Sequence, residues 1–156
     1  MEAEVDQINS LGIRVVKVRI GIVLSEKDGA LAQMALPVKL YAGSPLASGK
    51  QYMSWIHIDD LCGIFIKAIN DSKLNGAYNG VAPHPVTNKE MTVAMAKVLK
   101  KPLWAPNVPA FVLRLVVGEM ANIIINGSNV SSSRIEQVGY QFKFPYLNEA
   151  LTDVLK

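Results

Sequence analysis

The chain has 156 residues, half of them hydrophobic and 19% charged, with a formal net charge of +3 from 16 basic and 13 acidic side chains. That length supports one domain in which folding removes roughly 70% of the surface the unfolded chain exposes, and the composition excludes disorder. The basic residues are scattered, with their densest run from Lys97 to Lys101 at an expected helix end, which argues against a nucleic-acid binder, and the single cysteine, Cys62, excludes an intramolecular disulfide.

In chain order, Met1 to Ser10 carries Glu2, Glu4 and Asp6 and no apolar run, the opposite of a signal peptide. Val5, Ile8 and Leu11 fall at helical spacing before Gly12, which reads as the end of an amphipathic helix. "IRVVKVRIGIVL", Ile13 to Leu24, then reads as a strand apolar on both faces, as parallel strands between helix layers are. Arg19 inside it would be a buried guanidinium and would need a carboxylate or an anionic ligand nearby. A turn at "SEKDGA" leads into a helix with Asp28 as its expected cap, Leu31, Met34, Ala35 and Val38 on its apolar stripe, and Pro37 as a kink. "YAGSPLASGK" reads as loop. Its Gly43 and Gly49-Lys50 are not a phosphate-binding P-loop, since five residues separate the glycines where four are needed, and Gln51 follows the lysine.

"QYMSWIHI" alternates as a strand that places Gln51, Met53 and Trp55 on one face, and Asp59 or Asp60 is the expected cap of the helix that follows. That helix carries Leu61, Ile64, Phe65, Ala68 and Ile69 as its stripe. "GAYNGVA" reads as a short strand. Thr87 and Glu90 make a capping box for a helix burying Met91, Ala94, Met95, Val98 and Leu99. A nearly all-apolar helix is expected from about Pro109 to Ile125, interrupted by Arg114, Glu119 and Asn122 before it could span a bilayer. Ser133 and Glu136 suggest a further capping box, "YQFKFP" a brief extended piece, and Asn148 the cap of a last helix whose Ala150, Leu151, Val154 and Leu155 face inward. A cytoplasmic protein with no membrane partner is the expectation.

The chemically loaded stretch is "SWIHIDDL", Ser54 to Leu61. A local zinc site would need more ligands than His57 and the other candidates, His84 and Cys62, supply, so no metal site is expected. A hydrolase using His57 with an aspartate would need a nucleophile elbow, and no G-x-S-x-G occurs. Tyr52, Trp55 and His57 remain open between core positions and walls of a pocket, where an aromatic face packs a flat ligand and a polar edge orients it.

"RIGIVLSEKDGALAQM", "GSPLASGKQYMSWIHIDDL", "YNGVAPHPVTNKEM", "GEMA" and "GYQFKFPYLNEAL" together resemble the C-terminal half of an extended short-chain dehydrogenase/reductase, of the sugar-nucleotide-epimerase-like family. The resemblance implies an α/β fold. It would comprise the last strands and helices of an NAD(P)-binding Rossmann-like layer (residues 1–24 and 56–82) and a mainly helical substrate-binding part (residues 25–55 and 83–156). It implies that Arg19, Ile20, Gly21 and Ile22 approach the cofactor, and that Gln51, Met53, Trp55 and His57 line the substrate pocket. Such enzymes bind NAD(P) through a G-x-x-G-x-x-G turn and work through a Tyr-x-x-x-Lys pair. Neither occurs here: none of Tyr41, Tyr52, Tyr78, Tyr140 and Tyr146 is followed by lysine at the fourth position. The expectation is therefore a substrate-binding half with no catalytic residue of its own. It would bind no cofactor by itself and would depend on a missing N-terminal half, or on self-association, for completion. Where several nucleotide-sugar members carry a diphosphate-binding arginine this chain has Met53, which cannot make charge-assisted bonds to phosphate; a nucleotide sugar stays possible as substrate. The alternative is a stand-alone, non-catalytic binding or assembly module.

Overall fold

The computed structural model describes residues 11–25, 29–117 and 125–156. The helix expected before Gly12 and the cap expected at Asp28 lie outside these residues. Gly12 itself has φ +74°, the left-handed conformation a stop there requires.

The long apolar run forms β1 (Val16–Ile20) and β2 (Ile22–Leu24), and the interruption at Gly21 organises the molecule. On one side of Gly21 the chain pairs in parallel with β5 (Gly76–Gly80), Val16 opposite Gly76 and Ile20 opposite Gly80. On the other it pairs in parallel with β4 (Trp55–His57), Ile22 opposite Trp55 and Leu24 opposite His57. The exchange of partner is tight: Gly21 N donates to Gly80 O at 3.2 Å and Ile22 N to Ser54 O at 2.8 Å. A Cβ on Gly21 would stand 2.5 Å from Ser54 O and 2.8 Å from Val81 Cγ1, so only glycine lets the three segments meet. Beside this junction β3 (Tyr52–Met53) pairs antiparallel with β6 (Val86–Thr87).

Helices α1 (Ala30–Lys39), α3 (Asn88–Val98) and α6 (Leu147–Leu155) close over one face of β2 and β4. Their core holds Leu24, Leu31, Trp55, Met91, Met95 and Leu151. Helix α2 (Ile58–Asn70) and α5 (Ser133–Gln137) build a second core around Ile56, Leu61, Ile64, Leu74, Tyr78 and Ile135. The pleat of β4 thus sends Trp55 into one core and Ile56 into the other. Helix α4 (Ala110–Val117) lies outside both cores, with Phe111 and Leu115 exposed; residues 118–124, where the expected longer helix continues, are outside the described set.

Two expectations about burial are corrected. β1 is not buried on both faces: Arg19 and Ile20 are exposed, so Arg19 is not a buried guanidinium. β1 has β5 on one edge and, among the described residues, no strand on the other. The stripe of α2 is narrower than its spacing suggests, with Leu61, Ile64 and Ala68 buried but Phe65 and Ile69 exposed. At the end of α2 the Arg14 guanidinium donates to Ala68 O at 2.7 Å and Leu74 O at 3.2 Å, a cation satisfying terminal carbonyls.

The capping box of α3 is present as expected: Thr87 Oγ1 accepts from Glu90 N at 3.2 Å and Glu90 Oε2 accepts from Thr87 N at 2.7 Å. Those bonds hold the Glu90 carboxyl below its usual value, the backbone bond contributing most. The later caps differ. Helix α5 is preceded by Ser132, whose hydroxyl bonds the Glu136 side chain and not a backbone N–H. Helix α6 begins after Tyr146, which leaves Asn148 inside it.

Candidate functional site

A cavity of about 800 Å³ opens where the strand partners change, bounded by the Ile20–Ile22 junction, α1, β3 and α3. It lies beyond the carboxyl ends of the parallel pair β1 and β5, where Ile20, Gly21, Asn79 and Val81 reach its wall. Open parallel sheets place ligands at such a position, because the chain diverges there and leaves a crevice.

Arg19, Ile20, Gly21, Ile22 and Met53 line the cavity together. Gln51, Trp55 and His57 do not. The Gln51 side chain is buried and donates to Leu46 O at 3.0 Å, while the Gln51 backbone carbonyl accepts from Asn88 N at 2.9 Å. Trp55 is fully buried and its indole N–H donates to His84 O at 3.0 Å, an ordinary way to satisfy a core tryptophan. The alternation expected from Gln51 to Trp55 fails because β3 stops at Met53 and β4 restarts at Trp55. Ser54, between them, is buried with its Oγ donating to Ser128 O at 2.8 Å and accepting from Val130 N at 2.9 Å. Tyr52, Met53 and Ser54 all reach the wall in consequence; Tyr52 takes the pocket-wall place that its aromatic, polar-edged side chain left open, while the sequence period did not mark Ser54. Met34 and Val38 of α1 and Met95 of α3 also line it. Their spacing marked them as apolar, but core and cavity walls leave the same signal. The far wall is fixed by Gly127 at φ +61°, where a Cβ would lie 2.5 Å from Tyr52 O.

The "SWIHIDDL" cluster is a joint. His57 is the N-cap of α2, its Nδ1 accepting from Asp59 N at 3.1 Å, where the aspartates themselves were expected to cap. That bond puts the imidazole proton on Nε2, which lies 3.2 Å from Asp153 Oδ2 but off the line of a hydrogen bond. The ring also packs on Phe144, centroids 3.9 Å apart. Asp60, 1% exposed, turns away from its own helix. It accepts from Lys143 N at 2.7 Å, from Phe144 N at 2.9 Å, and lies 3.1 Å from the Tyr140 hydroxyl. Burial, and then the charge of Asp60, push the Tyr140 phenol well above its ordinary pKa. Asp59 takes the exposed Lys143 ammonium at 2.7 Å, which holds its carboxyl below the usual value and raises the lysine. "YQFKFP" is therefore pinned by side chains and forms no strand. A Cβ on Gly63 would run into the Tyr140 hydroxyl, so that glycine admits the strap.

No group of three or more histidine, cysteine, aspartate and glutamate side chains able to hold a metal ion occurs among the described residues. Nor is any helix there long and apolar enough to cross a membrane.

Comparison with known proteins shows what this chain is similar to. Residues 108–154 match a domain of unknown function, DUF1731. The chain is 40% identical over 144 residues to the epimerase family protein SDR39U1 homolog, chloroplastic, of Arabidopsis thaliana, spanning 92% of this chain and 41% of that protein. It is 38% identical over 152 residues to the epimerase family protein SA0724 of Staphylococcus aureus strain N315, spanning 96% of this chain and 50% of that one. Among solved structures, human epimerase family protein SDR39U1 (isoform 2) with NADPH superposes with a TM-score of 0.84 at 38% identity, over 90% of this chain and 48% of that chain. The chain thus spans about half the length, or less, of the relatives it matches. The resemblance to the epimerase-like family read from the motifs, and the α/β Rossmann-related fold it implied, are found here.

Proposed function

We propose that this chain, similar along nearly its whole length to epimerase family proteins, is the substrate-binding half of an NAD(P)-linked epimerase-like oxidoreductase. The observation that carries this reading is the convergence of Arg19–Ile22 with Met53 on one cavity beyond the carboxyl ends of β1 and β5. In this reading Arg19, Ile20, Gly21 and Ile22 face the cofactor. The exposed Ile20 side chain offers an apolar contact to a flat ring, and Met53 stands on the substrate side. The residues present fit only that end of a dinucleotide, because no Gly-rich turn for the pyrophosphate occurs in this sequence. When bound, NAD(P) would supply hydride transfer. The chain's own part is to form the cavity wall.

The division into a Rossmann-like part (residues 1–24 and 56–82) and a substrate part (residues 25–55 and 83–156) belongs to the same proposal. So does the dependence on an N-terminal half carrying the cofactor turn and the Tyr-x-x-x-Lys pair. A reducing compartment, the cytoplasm, suits the exposed, unpaired Cys62. The alternative, a non-catalytic binding or assembly module, is favoured by one observation: Ile66, Ile69 and Trp104 are exposed.

Calorimetric titration with NADPH tests the reading on two samples, this chain alone and this chain co-expressed with the unmatched half of the human relative. Binding only in the second sample is expected. Micromolar binding by the chain alone would overturn the assignment of the pyrophosphate site elsewhere, and binding by neither would favour the module.

A further inference from the structure

The cavity wall has a chemistry that the family resemblance did not supply. Met34, Val38, Met53, Val81, Met95 and Val130 are among its apolar lining. Among the described lining residues the only lysine, arginine or histidine is Arg19, which sits exposed on β1. A nucleoside diphosphate carries charge that proteins meet with arginine, lysine or an array of backbone N–H groups.

Four polar side chains on the wall, Ser54, Asn79, Asn88 and Thr92, are engaged in holding the wall itself. Ser54 bridges Ser128 and Val130. Asn88 accepts from Leu46 N at 2.7 Å and places its amide 3.5 Å from the Met53 sulfur. Thr92 Oγ1 donates to Asn88 O at 2.9 Å, and Asn79 Nδ2 to Ser131 O at 2.9 Å. Taking the Ser54, Asn88 or Thr92 groups for a ligand would leave partly or fully buried backbone groups without their partners.

We propose that this cavity receives an uncharged, predominantly apolar small molecule instead of the diphosphate of a nucleotide sugar. Its volume, about 800 Å³, suits a ligand of drug-like size, and thioether side chains on facing walls adapt to varied apolar shapes. The inference takes from the function proposed above only that the cavity is the substrate site.

The test uses the neutral fluorophore N-phenyl-1-naphthylamine, titrated into the chain and then challenged with 2-decanone or with UDP-glucose. Bound fluorophore displaced by 2-decanone and not by millimolar UDP-glucose is the expected result, with affinity falling on the order of tenfold in Met53→Arg, which puts a cation on the wall. Displacement by UDP-glucose, no bound fluorophore, or binding that Met53→Arg leaves unchanged would each overturn the proposal. Should Met53→Arg not fold, the competition on the unaltered chain still decides. None of these readings involves NADPH. A failed cofactor titration therefore leaves this inference standing, and UDP-glucose displacement leaves the cofactor reading standing.

Discussion

Asp60 illustrates how much one carboxylate decides. Its neighbour Asp59 makes a surface ion pair of the kind worth about 0–1 kcal/mol, whereas Asp60 is buried and receives backbone N–H groups from Lys143 and Phe144. Asp60→Asn keeps the shape but turns an amide toward those donors. A loss of about 3 kcal/mol in urea denaturation is expected, against under about 1 kcal/mol for Lys143→Met. Equal losses would mean that the aspartate is not the anchor. The sequence marked the aspartate pair as structural and placed it at the turn into α2. It could not show that His57 takes the cap and frees Asp60 for the strap, because the strap's contacts lie 83 and 84 positions away.

Among the elements, α3 is the best specified by local signals, and its position matters to the cavity because Thr92 and Met95 lie on the wall while Met91 is in the core. Thr87→Ala removes the hydroxyl that accepts from Glu90 N, and a loss of about 1 kcal/mol with unchanged helix content by circular dichroism is expected. No loss would show that the cap is redundant with the packing of α3 on α6. The strands are less local in origin. The run from Ile13 to Leu24 reads as one strand, and it becomes β1 and β2 because Gly21 is where backbone from Ser54 and from Gly80 arrives together. Nothing in the period of that run marks the exchange; the glycine is its only trace.

At the scale of the molecule, the chain leaves apolar surface uncovered: Leu11, Ile13, Ile66 and Ile69 are all more than half exposed, and β1 has an edge with no strand on it among the described residues. Exposed apolar residues and open strand edges favour association. Light scattering on the chain alone is expected to show mass rising with concentration, and Ile66→Lys with Ile69→Lys is expected to lower it; a monomer at every concentration would remove the premise. The sequence by itself determined the alternation of strand and helix, the capping box and the inward stripes of α3 and α6, since these rest on spacings of a few residues. It also carried the motifs of the epimerase-like family. Only the tertiary structure decided that Tyr52 and Ser54 reach the cavity while Trp55 and His57 stand in the core. Which side of a strand faces a cavity depends on where pairing stops and restarts, and here segments far apart in the chain set that point at Gly21 and Ser54.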